Sequence, residues 1–212
     1  MPAVTGSSAI AFPGQGGDWR AAVAALHEAP AHPLVAALAD RLHTKAWDDL
    51  DGSDTAVAQP VIYVAGLVAA PQPGPEFALA MGHSLGEITT ATWAGAIDPE
   101  EGLDLMVTRG ALGASLSADR PGAMVAINRW DRTQVESLRE ALLSAGSDGG
   151  VLDVAVVNSP TQIVLSGDAA LVDAATEQAN EQGAVARKLP IGGAYHSSLM
   201  APSVDAFRAR AA

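Results

Sequence analysis

The chain has 212 residues, 49% of them hydrophobic and 17% charged, with no cysteine and a formal net charge of −12 at pH 7. Such a composition can bury a core, and it excludes a disordered chain, a disulfide scaffold, a thiolate metal site and a cysteine nucleophile. With 24 acids against 12 bases, it also lacks the usual electrostatic basis for binding nucleic acid, which is the neutralisation of phosphates by Lys and Arg.

Met1 to Ser8 carries no basic leader segment, and Ala9 to Phe12 is a short apolar run stopped by Pro13-Gly14, as expected of a buried strand entering a tight loop. Residues 19–29 and 33–43 have helical periodicity, Asp48 to Asp54 reads as an acidic loop, and Ala56 to Ala70 reads as a buried helix. The longest apolar run, Val61 to Ala70, has ten residues, about half of what a membrane-spanning helix needs. A cytoplasmic protein that does not engage a membrane is expected. Pro71 to Pro75 is a linker, Phe77 to Met81 a second buried strand, and Ser84 to Ala96 and Pro99 to Ser115 are predicted helices.

After Pro121 the pattern changes. Strands are expected at Ala123–Ile127, Val151–Val157, Gln162–Ser166 and Ala184–Leu189, with helices at Arg132–Ala145 and Ala169–Gln182. This β-α-β-β-α-β order is the ferredoxin-like arrangement. The sequence therefore predicts an α/β body over 1–120 and 191–212, with a ferredoxin-like subdomain inserted at 121–190. Charge is uneven between the two halves: residues 1–106 hold three bases against 13 acids, and residues 107–212 hold nine against 11.

The strongest chemical signal is Gly82-His83-Ser84-Leu85-Gly86, a G-x-S-x-G pattern between a predicted strand and a predicted helix. A sharp strand-to-helix turn lifts a serine hydroxyl out of the sheet, and small residues on either side let the backbone pass closely. Backbone N–H groups at the start of the next helix, that of Leu85 first, face a developing oxyanion. Such a serine needs a base. His27, His32 and His43 lie in polar surroundings and read as surface residues. His83 adjoins Ser84 in sequence and is expected to pack beneath the turn. His196 lies in Gly192-Gly193-Ala194-Tyr195-His196-Ser197-Ser198, a loop after the last strand, where such bases sit.

Phe12-Pro13-Gly14-Gln15-Gly16, Gly82-His83-Ser84-Leu85-Gly86-Glu87 and Ala194-Tyr195-His196-Ser197 occur in that order. Gln59-Pro60, Arg109, Gly122-Ala123-Met124 and Asn158-Ser159-Pro160 add to them. Together they resemble the malonyl-CoA:acyl-carrier-protein transacylases and the acyltransferase domains of polyketide and fatty acid synthases, from about residue 8 onward. The resemblance implies an α/β fold, with a hydrolase-like body carrying the nucleophile elbow and an inserted ferredoxin-like subdomain. It also implies Ser84 as the acylated nucleophile and His196 as its general base. The N–H groups of Gln15 and Leu85 would form the oxyanion hole, and Arg109 would bind a substrate carboxylate. His83, Met124, Asn158 and Tyr195 are candidate pocket residues.

On this reading the substrate is a coenzyme A thioester and the acceptor is the phosphopantetheine thiol of an acyl carrier protein, with no bound cofactor and no metal. Gly193-Ala194-Tyr195-His196 is closer to the malonyl-type HAFH segment of synthase domains than to the methylmalonyl-type YASH, although its first residue departs from both. Members of the family continue past the position that matches Ala212, through a segment that orients the histidine. The resemblance thus leaves open a truncated, complemented or degenerate chain. Two other readings stand beside acyl transfer. One is a serine hydrolase using Asp153 or Asp168 as its acid. The other is a non-catalytic module docking an acidic carrier protein through Arg129, Arg132, Arg139, Arg187 and Lys188.

Overall fold

The computed structural model describes residues 8–146 and 149–211. The chain divides into two compact units, and the division falls between Ala111 and Leu112, inside one long helix.

In the first unit, β1 (Ser8–Phe12) and β2 (Phe77–Gly82) pair in parallel, with Phe12 opposite Gly82. Parallel strands need a long crossover. Here it runs through α1 (Trp19–Glu28), α2 (Pro33–Leu42), a 3-10 turn at Trp47–Asp49, and α3 (Thr55–Ala69). Asp18 accepts from the Arg20 and Ala21 N–H groups at the start of α1, and Asp54 accepts from the Ala56 N–H at the start of α3. His32, expected as a surface residue, caps α2: its Nδ1 accepts from the Leu34 N–H at 3.2 Å.

Helix α3 is apolar on nearly all sides, so it is buried on nearly all sides. Val61, Ile62, Tyr63 and Val64 pack among Leu26 of α1, Leu34 and Leu38 of α2, and Leu103 and Met106 of α5 (Pro99–Asp119). The Tyr63 hydroxyl donates to the Pro99 carbonyl at 2.9 Å and accepts from Thr92 Oγ1 at 3.1 Å. Burial pushes its pKa up to about 12. Helix α4 follows β2 but spans Gly86–Trp93 rather than beginning at Ser84, because Ser84 has φ +55°, which no right-handed helix accommodates. Helix α5 runs to Asp119, four residues past the predicted Ser115.

The second unit carries β3 (Gly122–Asn128), α6 (Arg132–Ala145), β4 (Leu152–Ser159), β5 (Gln162–Asp168), α7 (Ala169–Glu181) and β6 (Val185–Lys188). The sheet order is β4-β5-β3-β6 with every neighbouring pair antiparallel, which is the split arrangement of a ferredoxin-like sheet. Alternation along the strands gives the sheet two faces. Val125, Ile127, Leu152, Ile163 and Leu165 face Leu138 of α6 and Val172 of α7. On the opposite face, Met124 and Val164 pack with Tyr195, and with Ile191 and Met200 of the segment after β6. That segment continues through a 3-10 turn, Ser198–Ser203, into α8 (Val204–Ala211). Among the described residues, no helix is long and apolar enough to cross a membrane.

Candidate active site

The turn at Ser84 is built by close backbone approach. A Cβ at Gly82 would collide with the Gly86 carbonyl, one at Gly86 with the Phe12 carbonyl, and one at Gly14 would lie 2.8 Å from both the His83 carbonyl and its Nδ1. The His83 N–H donates to the Phe12 carbonyl at 3.0 Å, and the Gly86 N–H donates back to the His83 carbonyl at 3.0 Å. The backbone is thereby folded tightly enough to hold Ser84 in the left-handed region, a conformation that costs about 1–2 kcal/mol for a residue with a Cβ. Leu85 is the N-cap of α4, and its side chain is fully buried. The expectation for His83 is corrected: it is exposed, its ring lying against Gly14, where the missing Cβ leaves room, and not beneath the turn.

Around Ser84 runs a chain of hydrogen bonds. Arg109, on α5, donates from Nη2 to Ser84 Oγ at 3.0 Å and from Nη1 to Gln59 Oε1 at 2.5 Å. Gln59 Nε2 donates to Thr55 Oγ1 at 2.9 Å, and Thr55 Oγ1 donates to Gln15 Oε1 at 2.9 Å. Gln15 Nε2 is buried and makes no hydrogen bond. One loop and two helices thus fix the direction in which the Arg109 fork points. Thr55 was not among the residues singled out, and Gln59 served only as a motif match. The signal for both was available: two polar residues one helical turn apart in an otherwise apolar helix, now found 4% and 0% exposed.

The remaining candidates belong to the second unit. His196 is exposed and left-handed, with φ +62°. Its neighbours are buried: Tyr195 packs on Met124 and Val164, and Ser197 Oγ donates to the Ala194 carbonyl at 2.6 Å. The Ser197 N–H closes a turn onto the same carbonyl at 3.3 Å, which places Tyr195 and His196 at its two central positions. Met124 and Tyr195 therefore come together. Asn158 lies near the β4–β5 hairpin, where its Nδ2 donates to Gln162 Oε1 at 3.1 Å.

The two acids of the hydrolase reading are engaged elsewhere. Asp168 accepts the two-pronged fork of Arg120 at 2.7 and 2.8 Å and the Val151 N–H at 2.7 Å. The Arg120 guanidinium, with some help from that N–H, holds the Asp168 carboxyl below the usual carboxylate range. Asp153 accepts from Ser198 and pairs with Arg139.

A family model described as an acyl transferase domain matches residues 11–212. The chain belongs to the acyl transferase domain family. A phenolphthiocerol synthesis polyketide synthase from Mycobacterium marinum is 33% identical over 95% of this chain and 10% of its own length. A malonyl CoA-acyl carrier protein transacylase from Mycobacterium tuberculosis is 36% identical over 76% of this chain and 52% of that protein. The chain thus matches about half the length of its transacylase relatives and a far smaller part of the synthases. Among solved structures, the malonyl CoA-acyl carrier protein transacylase of Coxiella burnetii superposes with a TM-score of 0.78 at 28% identity, covering 97% of this chain and 68% of that one. An acyltransferase domain from the second module of the salinomycin polyketide synthase gives 0.71 at 29% identity, covering 98% and 50%. The fold is accordingly the α/β, hydrolase-like body with a ferredoxin-like subdomain that the sequence led us to expect.

Proposed function

We propose that the chain transfers a malonyl group from coenzyme A to the phosphopantetheine thiol of an acyl carrier protein, in fatty acid or polyketide synthesis. The observation that carries this reading is the Arg109 fork, 3.0 Å from Ser84 Oγ and held by Gln59. A planar guanidinium beside the acylated oxygen suits an acyl chain that ends in a carboxylate, because it can donate two parallel charge-assisted hydrogen bonds. Acetyl or longer alkyl chains offer it nothing.

In the first half-reaction, Ser84 Oγ attacks the thioester carbonyl while its proton passes to His196, the base assigned by the family motif that contains it. The N–H groups of Leu85 and Gln15 receive the oxyanion. The C–S bond breaks, and the thiolate of coenzyme A leaves with the proton from His196. In the second half-reaction the carrier thiol repeats these steps on the acyl-Ser84 ester, which restores the free serine. A solved relative titled as a type II polyketide acyl-carrier protein in complex with its malonyl-transacylase is 25% identical to this chain and supports a carrier protein as the partner class.

Intact mass after mixing with malonyl-CoA tests the proposal. A malonyl adduct should form, vanish in Ser84→Ala, and move to an added carrier protein. Release of free malonate without transfer would establish a hydrolase instead.

A further inference from the structure

His196 sits exposed in a left-handed conformation on a turn whose two flanks are fixed differently. On the N-terminal side, Tyr195 is packed on Met124 and Val164 of the sheet. On the C-terminal side, Ser198 donates both its backbone N–H and its Oγ–H to one oxygen of Asp153, each at 2.8 Å. Asp153 lies on edge strand β4, opposite Ser166, which in turn lies opposite Met124. It thus shares the sheet face that carries Tyr195. Its second oxygen lies 3.6 Å from Arg139 of α6, and Arg139 Nε also donates to the neighbouring Leu152 carbonyl.

We propose that Asp153 is a positioning residue for His196. A carboxylate, oriented by Arg139, clamps the chain two residues past the histidine, so that the imidazole keeps one direction despite the unfavourable backbone conformation of its own residue. Without the clamp, the turn keeps its Tyr195 packing and its Ser197–Ala194 bonds but loses the anchor just past the histidine, and the left-handed residue can relax toward an ordinary conformation. The inference rests on the reading of His196 as the base, and its test separates the two.

The decisive measurement is NMR of the 212-residue chain, with the His196 Cε1–H resonance assigned by its absence in His196→Ala. In Asp153→Ala that resonance should shift and broaden while the other four histidines stay in place. In Asp153→Asn, whose carbonyl oxygen can still accept both Ser198 bonds, it should remain as in the wild type. Ser198→Ala keeps the N–H bond and should give an intermediate change, which supplies a milder variant if Asp153→Ala folds poorly.

Single-turnover acylation by malonyl-CoA provides the second readout. Asp153→Ala should lower the rate constant about tenfold at full adduct amplitude, as expected for displacement of a catalytic group by well under 1 Å. Asp153→Asn should restore it to within about twofold. An unmoved His196 resonance in Asp153→Ala overturns the proposal. So does a reduced amplitude at an unchanged rate constant, which would make Asp153 a fold-stabilising residue only. If His196→Ala acylated at the wild-type rate, the base assignment would fall, while the resonance test would still decide whether Asp153 orients the ring.

Discussion

Replacing Arg109 with alanine gives the sharpest quantitative test of substrate choice. Arg109 donates from Nη1 to Gln59 Oε1 and from Nη2 to Ser84 Oγ, which holds its fork beside the serine. A charge-assisted hydrogen bond of this kind contributes about 1.5–3 kcal/mol. At about 1.4 kcal/mol per decade, the loss of even one of the two bonds to the malonyl carboxylate lowers kcat/KM for malonyl-CoA by roughly 10- to 150-fold. Any effect on Ser84 itself, through the bond to Oγ, falls on malonyl and acetyl thioesters alike and cancels in their ratio. The ratio of kcat/KM for malonyl-CoA to that for acetyl-CoA, measured by coenzyme A release to a carrier protein, should therefore drop by that factor. Arg109→Lys, which keeps the charge but loses the fork, should fall between. A ratio that moves less than about threefold in Arg109→Ala would refute the assignment, whatever happened to the absolute rates.

Tyr63→Phe removes a buried hydroxyl that has two partners, and should cost about 1–2 kcal/mol in urea unfolding at pH 7. The same tyrosine sets an alkaline limit. Its folded pKa of about 12 lies above the ordinary value of 10.0, so stability is fully present below pH 10 and is lost as pH rises toward 12. That loss amounts to about 2–3 kcal/mol in the wild type, and it should be missing from Tyr63→Phe; equal alkaline slopes would count against it. Gly86→Ala forces a Cβ into the Phe12 carbonyl, and should cost at least about 1–3 kcal/mol, read as lost soluble yield and a lower melting midpoint. Ser84→Gly and Ser84→Ala should both fail to form the adduct, yet the glycine variant should be the more stable by about 1 kcal/mol because it relieves the left-handed strain. An alanine variant as stable as the glycine one would mean that the turn is not strained.

What could be read from the sequence was what is encoded locally. Gly82, Ser84 and Gly86 lie within five residues, and their sterics alone dictate a turn, so the candidate nucleophile was legible before any tertiary contact was known. The alternation of β3 and β5 and the periodicity of α6 and α7 were similarly local, and they gave the ferredoxin-like order correctly. Contacts that join distant segments were not legible. The path Gln15, Thr55, Gln59, Arg109, Ser84 crosses a loop, two helices and a turn; its members are ordinary polar residues until the fold places them side by side. His83 was expected beneath the turn because it adjoins Ser84 and adjacent side chains rarely converge, a rule that does not say which way its ring leaves the turn. The exposed side opposite Gly14 depends on the β1 loop, and that loop is 69 residues earlier in the chain. The start of α4 was misplaced for a related reason: helical periodicity carries no signal for a left-handed residue at the boundary.

Backbone strain gives an independent argument about which residues work. Among the described residues, four that are not glycine have positive φ: His43, Ser84, Arg129 and His196. His43 has a structural explanation, since it ends α2 as a left-handed C-cap whose N–H returns to Ala39 and Asp40. Arg129 leads from β3 into the turn before α6, and its N–H donates to the Thr161 carbonyl at 2.9 Å, again a connection between elements. For Ser84 and His196 the backbone need could be met as well or better by glycine, and a sequence with 21 glycines has not placed one there. In each case the surroundings are built to over-determine the conformation: three glycine contacts and the Phe12–His83 bond around Ser84, and Tyr195, Ser197 and the Asp153 clamp around His196. Strain that stability does not require, retained at the cost of a supporting shell, is expected where the side chain itself is needed. It falls on the serine and the histidine that the motifs had already singled out.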